Sequence, residues 1–242
     1  MQTGLITDIG KVRKINEDSC AVHGEGEFPY GVVADGMGGH EAGEVASRMA
    51  VDIIENHLGH NLEEGMSFAE TGEVIRQAFI CANNIIYTYA KNHYKIMGMG
   101  TTATLAMIYK DNIITAHVGD SRAYKIDSSG IKQITRDHSY VQELVMRGEL
   151  TPQAAKNHPK KNFITRAMGA EDVVKVDITI QDYEGETILL CSDGLTNFVD
   201  DDEIFENISG SASLDEALGK LVELANERGG RDNITIVALG RE

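Results

Sequence analysis

Aspartates placed where apolar runs stop restrict this chain more than any other feature. Asp35 follows Val32-Val33-Ala34. Asp120 follows Ala116-His117-Val118-Gly119, and Asp193 follows Ile188-Leu189-Leu190-Cys191-Ser192. Asp232 precedes Asn233-Ile234-Thr235-Ile236-Val237. Each run has the length and β-branched content of a buried strand, so each carboxylate is expected at a strand end. Taken singly, Asp-Gly and Gly-Asp are turn pairs, and that is the ordinary reading of any one of them. Taken together they pose an electrostatic problem. Converging strand ends would bring carboxylates to one partly desolvated rim, where like charges destabilise the fold unless protons or cations intervene. Hard divalent cations with oxygen ligands solve that problem, and no nearby Cys/His set points to zinc. Strand order does not by itself bring the carboxylates together.

The rest of the pattern predicts an α+β chain. Tyr30–Ala34 reads as a strand ending in a turn at Asp35-Gly36. Val45, Met49, Ile53 and Ile54 recur at helical spacing between Ala42 and Leu58. Val74, Ala78, Phe79, Ala82, Ile85, Ile86 and Tyr89 do so in a second long helix. Thr102–Tyr109, Ile113–Val118, Arg122–Ile126 and Ile131–Thr135 read as an antiparallel meander with turns between. Ser139–Arg147 is a helix stopping at Gly148, and Thr151-Pro152 opens a short one. Val173–Ile180 and Thr187–Cys191 are strands. Ser213-Leu214-Asp215-Glu216 caps a helix ending near Gly229-Gly230, and Asn233–Leu239 is a last strand. Helices should cover the outer faces of packed, largely antiparallel sheets.

Composition narrows the function. Hydrophobic residues make up 42% of the 242 and charged residues 25%, with no linker-like stretch, so we expect one domain over residues 1–242. A net charge of -16 argues against nonspecific nucleic-acid binding. An acidic protein with an anionic substrate needs a local source of positive charge, which bound cations supply. Cys20, Cys81 and Cys191 are far apart and read as reduced thiols. No signal peptide or membrane span is expected, and reduced thiols suit a cytoplasmic protein.

Other residues near these aspartates carry chemistry. Gly36 either lets a backbone carbonyl approach a metal or is a flexible turn before the helix at Ala42. Arg13, beside Asn16-Glu17-Asp18, is either a forked grip on phosphate oxygens or a surface arginine. In chain order the motifs are Thr7-Asp8-Ile9-Gly10 with Arg13 and Asn16-Glu17-Asp18, then Asp35-Gly36-Met37-Gly38-Gly39-His40. Gly100-Thr101-Thr102, Val118-Gly119-Asp120-Ser121-Arg122 and Asp137-His138-Ser139 come next. Thr165-Arg166-Ala167-Met168-Gly169, Cys191-Ser192-Asp193-Gly194-Leu195 and Arg231-Asp232-Asn233 complete the set. In that order, over essentially the whole chain, they resemble the type 2C metal-dependent protein phosphatases in their short bacterial form.

The resemblance implies a β-sandwich of two antiparallel sheets flanked by helices on both sides, in α/β/β/α layers. It implies hydrolysis of phosphoserine and phosphothreonine in proteins by direct attack of a water shared by two Mn²⁺ or Mg²⁺ ions. Asp35 would bridge the two ions, with the Gly36 carbonyl on one and Asp193 and Asp232 on the other. Glu17 and Asp18 would act through water, and Asp120 with Asp193 would hold a third, weaker ion. Arg13 would bind the phosphate, and residues 137–169 would form a flap beside the site. A Ser/Thr kinase and its substrates would be partners of a monomeric enzyme. Met37 stands where animal members resemble Asp-Gly-His. His40 is then one candidate acid for the leaving alkoxide and a metal-held water the other, while a loop histidine is also an ordinary solvated or capping residue.

Rival chemistries find no support in these residues. A cysteine-dependent phosphatase needs an arginine shortly after its thiolate, but Gly26, Tyr87 and Asn197 stand six positions after the three cysteines. No GxxxxGK[ST] loop occurs. A noncatalytic phosphoprotein-binding module would not need the complete set of Asp35, Asp193 and Asp232.

Overall fold

Neighbouring residues on the central strands face different cores. In the computed structural model, which describes residues 1–38, 42–93 and 98–240, Val32 and Ala34 pack against helices while Val33 between them points into the space between two sheets. Leu105 and Met107 alternate in the same way with Ala106 and Ile108, and Leu189 and Cys191 with Ile188 and Leu190. A strand buried on both faces must be apolar at every position, and this is why these segments read as continuous hydrophobic runs.

The strands among the described residues are β1 (Gln2–Asp8), β2 (Asp18–His23), β3 (Tyr30–Met37), β4 (Gly100–Thr101), β5 (Ala103–Tyr109) and β6 (Asn112–Val118). They continue with β7 (Arg122–Asp127), β8 (Gly130–Gln133), β9 (Asp177–Asp182), β10 (Thr187–Cys191) and β11 (Ile234–Gly240). The helices are α1 (Ala42–Asn61), α2 (Phe68–Asn92), α3 (Tyr140–Met146), α4 (Pro152–Lys156), α5 (Asp193–Thr196), α6 (Asp201–Gly210) and α7 (Leu214–Glu227). One sheet runs β1-β11-β10-β7-β8 and the other β2-β3-β5-β6-β9, with β4 added beside β3. Every strand pairing is antiparallel.

Helices α1 and α2 cover the outer face of the second sheet through Ala46, Ala50, Ile54, Ile75, Phe79 and Ile86. Helices α6 and α7 cover the first through Ile204, Leu218, Leu221 and Ala225. Each fully buried Ile, Leu or Phe contributes roughly 1.5–3 kcal/mol by leaving water. The architecture is the expected α+β sandwich with helices on both sides. No helix among the described residues is long and apolar enough to cross a membrane.

Several expectations needed correction. β3 does not end in a turn at Asp35. It runs on to Met37, because Gly36 and Met37 pair with Thr101 and Gly100 of β4. The expected meander is split: β6 pairs with β5 and β9, while β7 pairs with β10 and β8, so Gly119–Ser121 carries the chain from one sheet to the other. Strand β9 begins at Asp177 rather than Val173. Helix α6 was not foreseen, although its capping box of Asp200 and Glu203 is visible in the sequence. The segment around residues 137–169 carries α3 and α4, capped by Ser139 and Thr151. It is fastened at its base by bridges from Ser139 to Ile164 and from Thr101 to Met168.

Candidate metal centre

Strand register places the acidic residues. In the β2–β3 pair, Asp18 stands opposite Asp35. Asp193 opens α5 two residues beyond Cys191, the end of β10, and Asp232 lies two residues before β11, the neighbour of β10. Asp120 sits in the crossover between β6 and β7. These points lie on one edge of the sandwich. A cleft of about 480 Å³ is lined there by Arg13, Glu17, Asp35, Gly36, Asp120, Asp193 and Asp232, together with Met37, Thr102 and Asn162. Asp18 lies beneath it, only 8% exposed. His40 lies outside the described residues. A second cavity of about 480 Å³ shares Asp120, Asn162 and Asp193 with the cleft and extends beneath α3 and α4.

The backbone around Asp35 is fixed from both sides. Its N–H donates to Thr102 Oγ1 at 2.9 Å, and its carbonyl accepts from Thr102 N–H at 2.8 Å and Thr101 Oγ1 at 2.9 Å. Gly36 has a packing reason to lack a side chain. A Cβ there would stand 2.1 Å from the Gly43 carbonyl oxygen of α1 and 2.5 Å from that of Glu17. The glycine therefore brings α1 and the Glu17 segment up against Asp35.

Arg13 is anchored without being buried. Its side chain is 43% exposed, with Nη2 donating to Asp232 Oδ2 at 2.8 Å and Nη1 to Glu17 Oε2 at 3.3 Å. Burial acts to lower its pKa, but Asp232, Glu17 and Asp35 outweigh that and hold it above the ordinary arginine value. The loop that carries it is stapled by Asn233. The Asn233 amide donates to the Ile9 carbonyl (3.0 Å) and the Ile15 carbonyl (3.1 Å), and its Oδ1 accepts from Glu17 N–H (2.9 Å).

The cleft is electrostatically unbalanced. Burial, then the charges of its neighbours, pushes Asp35 well above the usual carboxylate range, and Asp18, Asp120 and Asp193 are raised for the same two reasons. Burial raises Glu17 as well, Arg13 notwithstanding. Asp18 Oδ2 accepts from Ser192 Oγ at 2.8 Å, while its buried Oδ1 has no hydrogen-bond partner. Asp193 is oriented by Asn197, whose amide donates to Oδ2 at 2.8 Å, and Asn197 in turn accepts from Lys161 Nζ at 2.9 Å.

This donor set fits hard dications. The candidate donors are carboxylate or carbonyl oxygens, Arg13 offsets only part of their negative charge, and a buried carboxylate oxygen is left without a partner. Among the described residues no three His, Cys, Asp or Glu side chains close around one point. The carboxylates line a cleft, as suits ions that keep several waters and take few protein ligands each.

Some contributors escaped the sequence reading. Thr102 and Asn233 stood inside motifs with no role attached. Asn197 lies four residues from Asp193, a helical spacing that was there to be read. Lys161 and Asn162 approach only because the segment carrying α3 and α4 folds back over this edge, and nothing local marks them.

Comparison with known proteins agrees with this fold. The family model described as protein phosphatase 2C matches residues 11–234. The serine/threonine phosphatase stp of Listeria welshimeri is 40% identical over 244 residues, covering 100% of this chain and 96% of that protein. The crystal structure of the serine/threonine phosphatase Stp1 from Staphylococcus aureus superposes with a TM-score of 0.93 at 35% identity, covering 100% of this chain and 95% of that one. A structure of the PstP catalytic domain, in complex with two manganese ions, gives a TM-score of 0.82 at 34% identity and covers 98% of this chain and 96% of its own. A carboxylate-lined cleft at the edge of a helix-flanked sandwich, matched from one end of the chain to the other, makes this chain a member of the protein phosphatase 2C family.

Proposed function

We propose that this chain is a metal-dependent phosphoprotein phosphatase that hydrolyses phosphoserine and phosphothreonine. The observation that carries the reading is the cleft itself. Arg13 adjoins Asp35, Asp193 and Asp232 in one space, so a phosphate grip and a dication-binding rim face the same volume. Asp35, Asp193, Asp232 and the Gly36 carbonyl would hold two ions, and Asp120 with Asp193 a third, weaker one. Manganese is the first to test, since the PstP relative binds two manganese ions.

When bound, the two cations would supply an activated water and positive charge against the phosphoryl oxygens. The protein's own groups do the rest. Arg13 offers free guanidinium hydrogens to the phosphate while Asp232 and Glu17 hold its plane. Asn197 fixes the rotation of Asp193. Ser192 keeps Asp18 beneath the cleft, with its unpartnered oxygen free to accept from a water there. Residues 1–242 would act as one domain with a flap at 137–169. Phosphoproteins are the substrates, a Ser/Thr kinase and its targets among them, and the enzyme would act as a cytoplasmic monomer without membrane insertion.

Hydrolysis of p-nitrophenyl phosphate and of a phosphothreonine peptide, with and without Mn²⁺ and chelator, tests the reading. Wild-type protein should turn over both substrates only with metal. Asp35→Asn and Asp193→Asn should lose turnover while keeping the wild-type circular dichroism spectrum. Wild-type rates in either variant at excess Mn²⁺ would remove that carboxylate from the centre.

A further inference from the structure

His138 plays no part in the chemistry above, yet its side chain is only 4% exposed and sits where the flap leaves and rejoins the sandwich. Its backbone N–H donates to the Gly119 carbonyl at 2.7 Å, and its own carbonyl accepts from Thr165 N–H at 2.7 Å. One residue thus ties both stems of the flap to the β6–β7 crossover. Its ring adds a second hold on the same glycine, because Nδ1 accepts from Gly119 N–H at 3.0 Å. An acceptor at Nδ1 places the ring proton on Nε2, which lies 3.1 Å from Asp177 Oδ2 and donates to it. Arg166 Nη1 lies 2.9 Å from the same Nε2 and donates to Asp177 Oδ1 at 2.8 Å, so Asp177 is shared between the ring and the guanidinium, and the ring of His117 packs against His138 at 4.6 Å between centroids.

Gly119 has little freedom in this arrangement. Its φ is +114°, and a Cβ there would stand 2.5 Å from Thr102 Cγ2. Asp120 follows directly. Ser121 comes next, and its Oγ shares a 2.8 Å hydrogen bond with Thr102 Oγ1, the group that also accepts from Asp35 N–H. The turn bearing Asp120 is therefore pinned between Thr102 on one side and His138 on the other.

We infer that His138 is a positioning residue: by holding both backbone polar groups of Gly119 it fixes where the Asp120 carboxylate stands, and so how tightly this arm of the centre holds a cation. The inference rests on the reading of Asp120 as a cation-holding residue. Groups that orient a metal-binding side chain characteristically change metal affinity about 10- to 100-fold when removed.

Two amide substitutions separate this role from space-filling. In His138→Asn the amide oxygen reaches the position of Nδ1 and can still accept from Gly119 N–H. In His138→Gln the amide extends toward the place of Nε2, and the Gly119 bond is lost. Chelator-stripped proteins are titrated with Mn²⁺ by calorimetry, with melting curves to show that each is folded and hydrogen exchange followed at the Gly119 amide. Wild type and His138→Asn should share the same weakest class of bound Mn²⁺, the class that Asp120→Asn removes. His138→Gln should weaken that class about 10- to 100-fold, leave the tighter ions unchanged and expose the Gly119 amide. Equal loss in both variants, an unchanged His138→Gln isotherm, or a wild-type isotherm that Asp120→Asn does not alter would overturn the inference. Should His138→Gln fail to fold, retention of the weak class by His138→Asn supports it and loss overturns it. Absence of Mn²⁺-dependent hydrolysis by wild-type protein would instead defeat the phosphatase reading, while the isotherms still decide the role of His138.

Discussion

Arg13 shows how a surface residue becomes specific. Nearly half of its side chain is exposed, yet two carboxylates hold its guanidinium in one orientation. A forked donor held in place loses little entropy on meeting a phosphate, and each charge-assisted hydrogen bond is worth about 1.5–3 kcal/mol. Arg13→Ala should therefore lower kcat/KM for p-nitrophenyl phosphate about 10- to 100-fold. Arg13→Lys should recover only part of this, because an ammonium cannot make the paired contact. Steady-state kinetics on the two variants decides it, and equal activity of lysine and wild type would mean that charge alone matters. Asn233 shows the complementary case. It touches no substrate in this reading, but three backbone groups of the Arg13 loop depend on it.

At the scale of elements, the crossover from β6 to β7 matters most. His117, the penultimate residue of β6, is buried and pushed down to about 4, first by burial and then by His138. Nε2 donates to the Arg136 carbonyl at 3.1 Å, as suits a neutral ring. The sign of the pH effect follows. An unfolded histidine takes its proton near pH 6.5, the folded one only near 4, so between these values the unfolded chain holds more protons. The contribution is full above about pH 6.5 and is lost as pH falls toward 4. His117→Gln keeps a donor for Arg136 and cannot titrate. The drop in unfolding free energy between pH 7 and pH 4.5 should thus be smaller in the variant by on the order of 2–3 kcal/mol, measured by urea denaturation. Identical drops would show that His117 is protonated in the folded protein.

The whole molecule gathers negative charge at one edge of the sandwich and leaves it unbalanced. A cation that binds the folded state and not the unfolded one stabilises by mass action, about 2.7 kcal/mol at a hundredfold excess over Kd. Thermal unfolding should accordingly shift upward with Mn²⁺ concentration and return on adding chelator. The shift should be lost in the double variant Asp35→Asn/Asp193→Asn. A melting temperature indifferent to Mn²⁺ would mean that the folded protein holds no Mn²⁺ tightly enough to matter.

The sequence by itself determined most of the elements and pointed to the chemistry. Apolar runs buried on both faces could only be central strands, glycine and serine or threonine caps bounded the helices, and carboxylates at the ends of those runs announced an acidic rim. Residues such as Asp35 and Asp193 were legible because each adjoins its own apolar run. Tertiary structure alone decided what depends on contacts between distant segments. It extended β3 through Asp35 by pairing it with β4, split the meander between two sheets, and brought Lys161, beyond α4, to Asn197. No local pattern encodes these, because hydrogen bonding across strands and the closing of a long loop are settled by which faces find each other in the core, and periodicity within one segment records only that it has a face to bury.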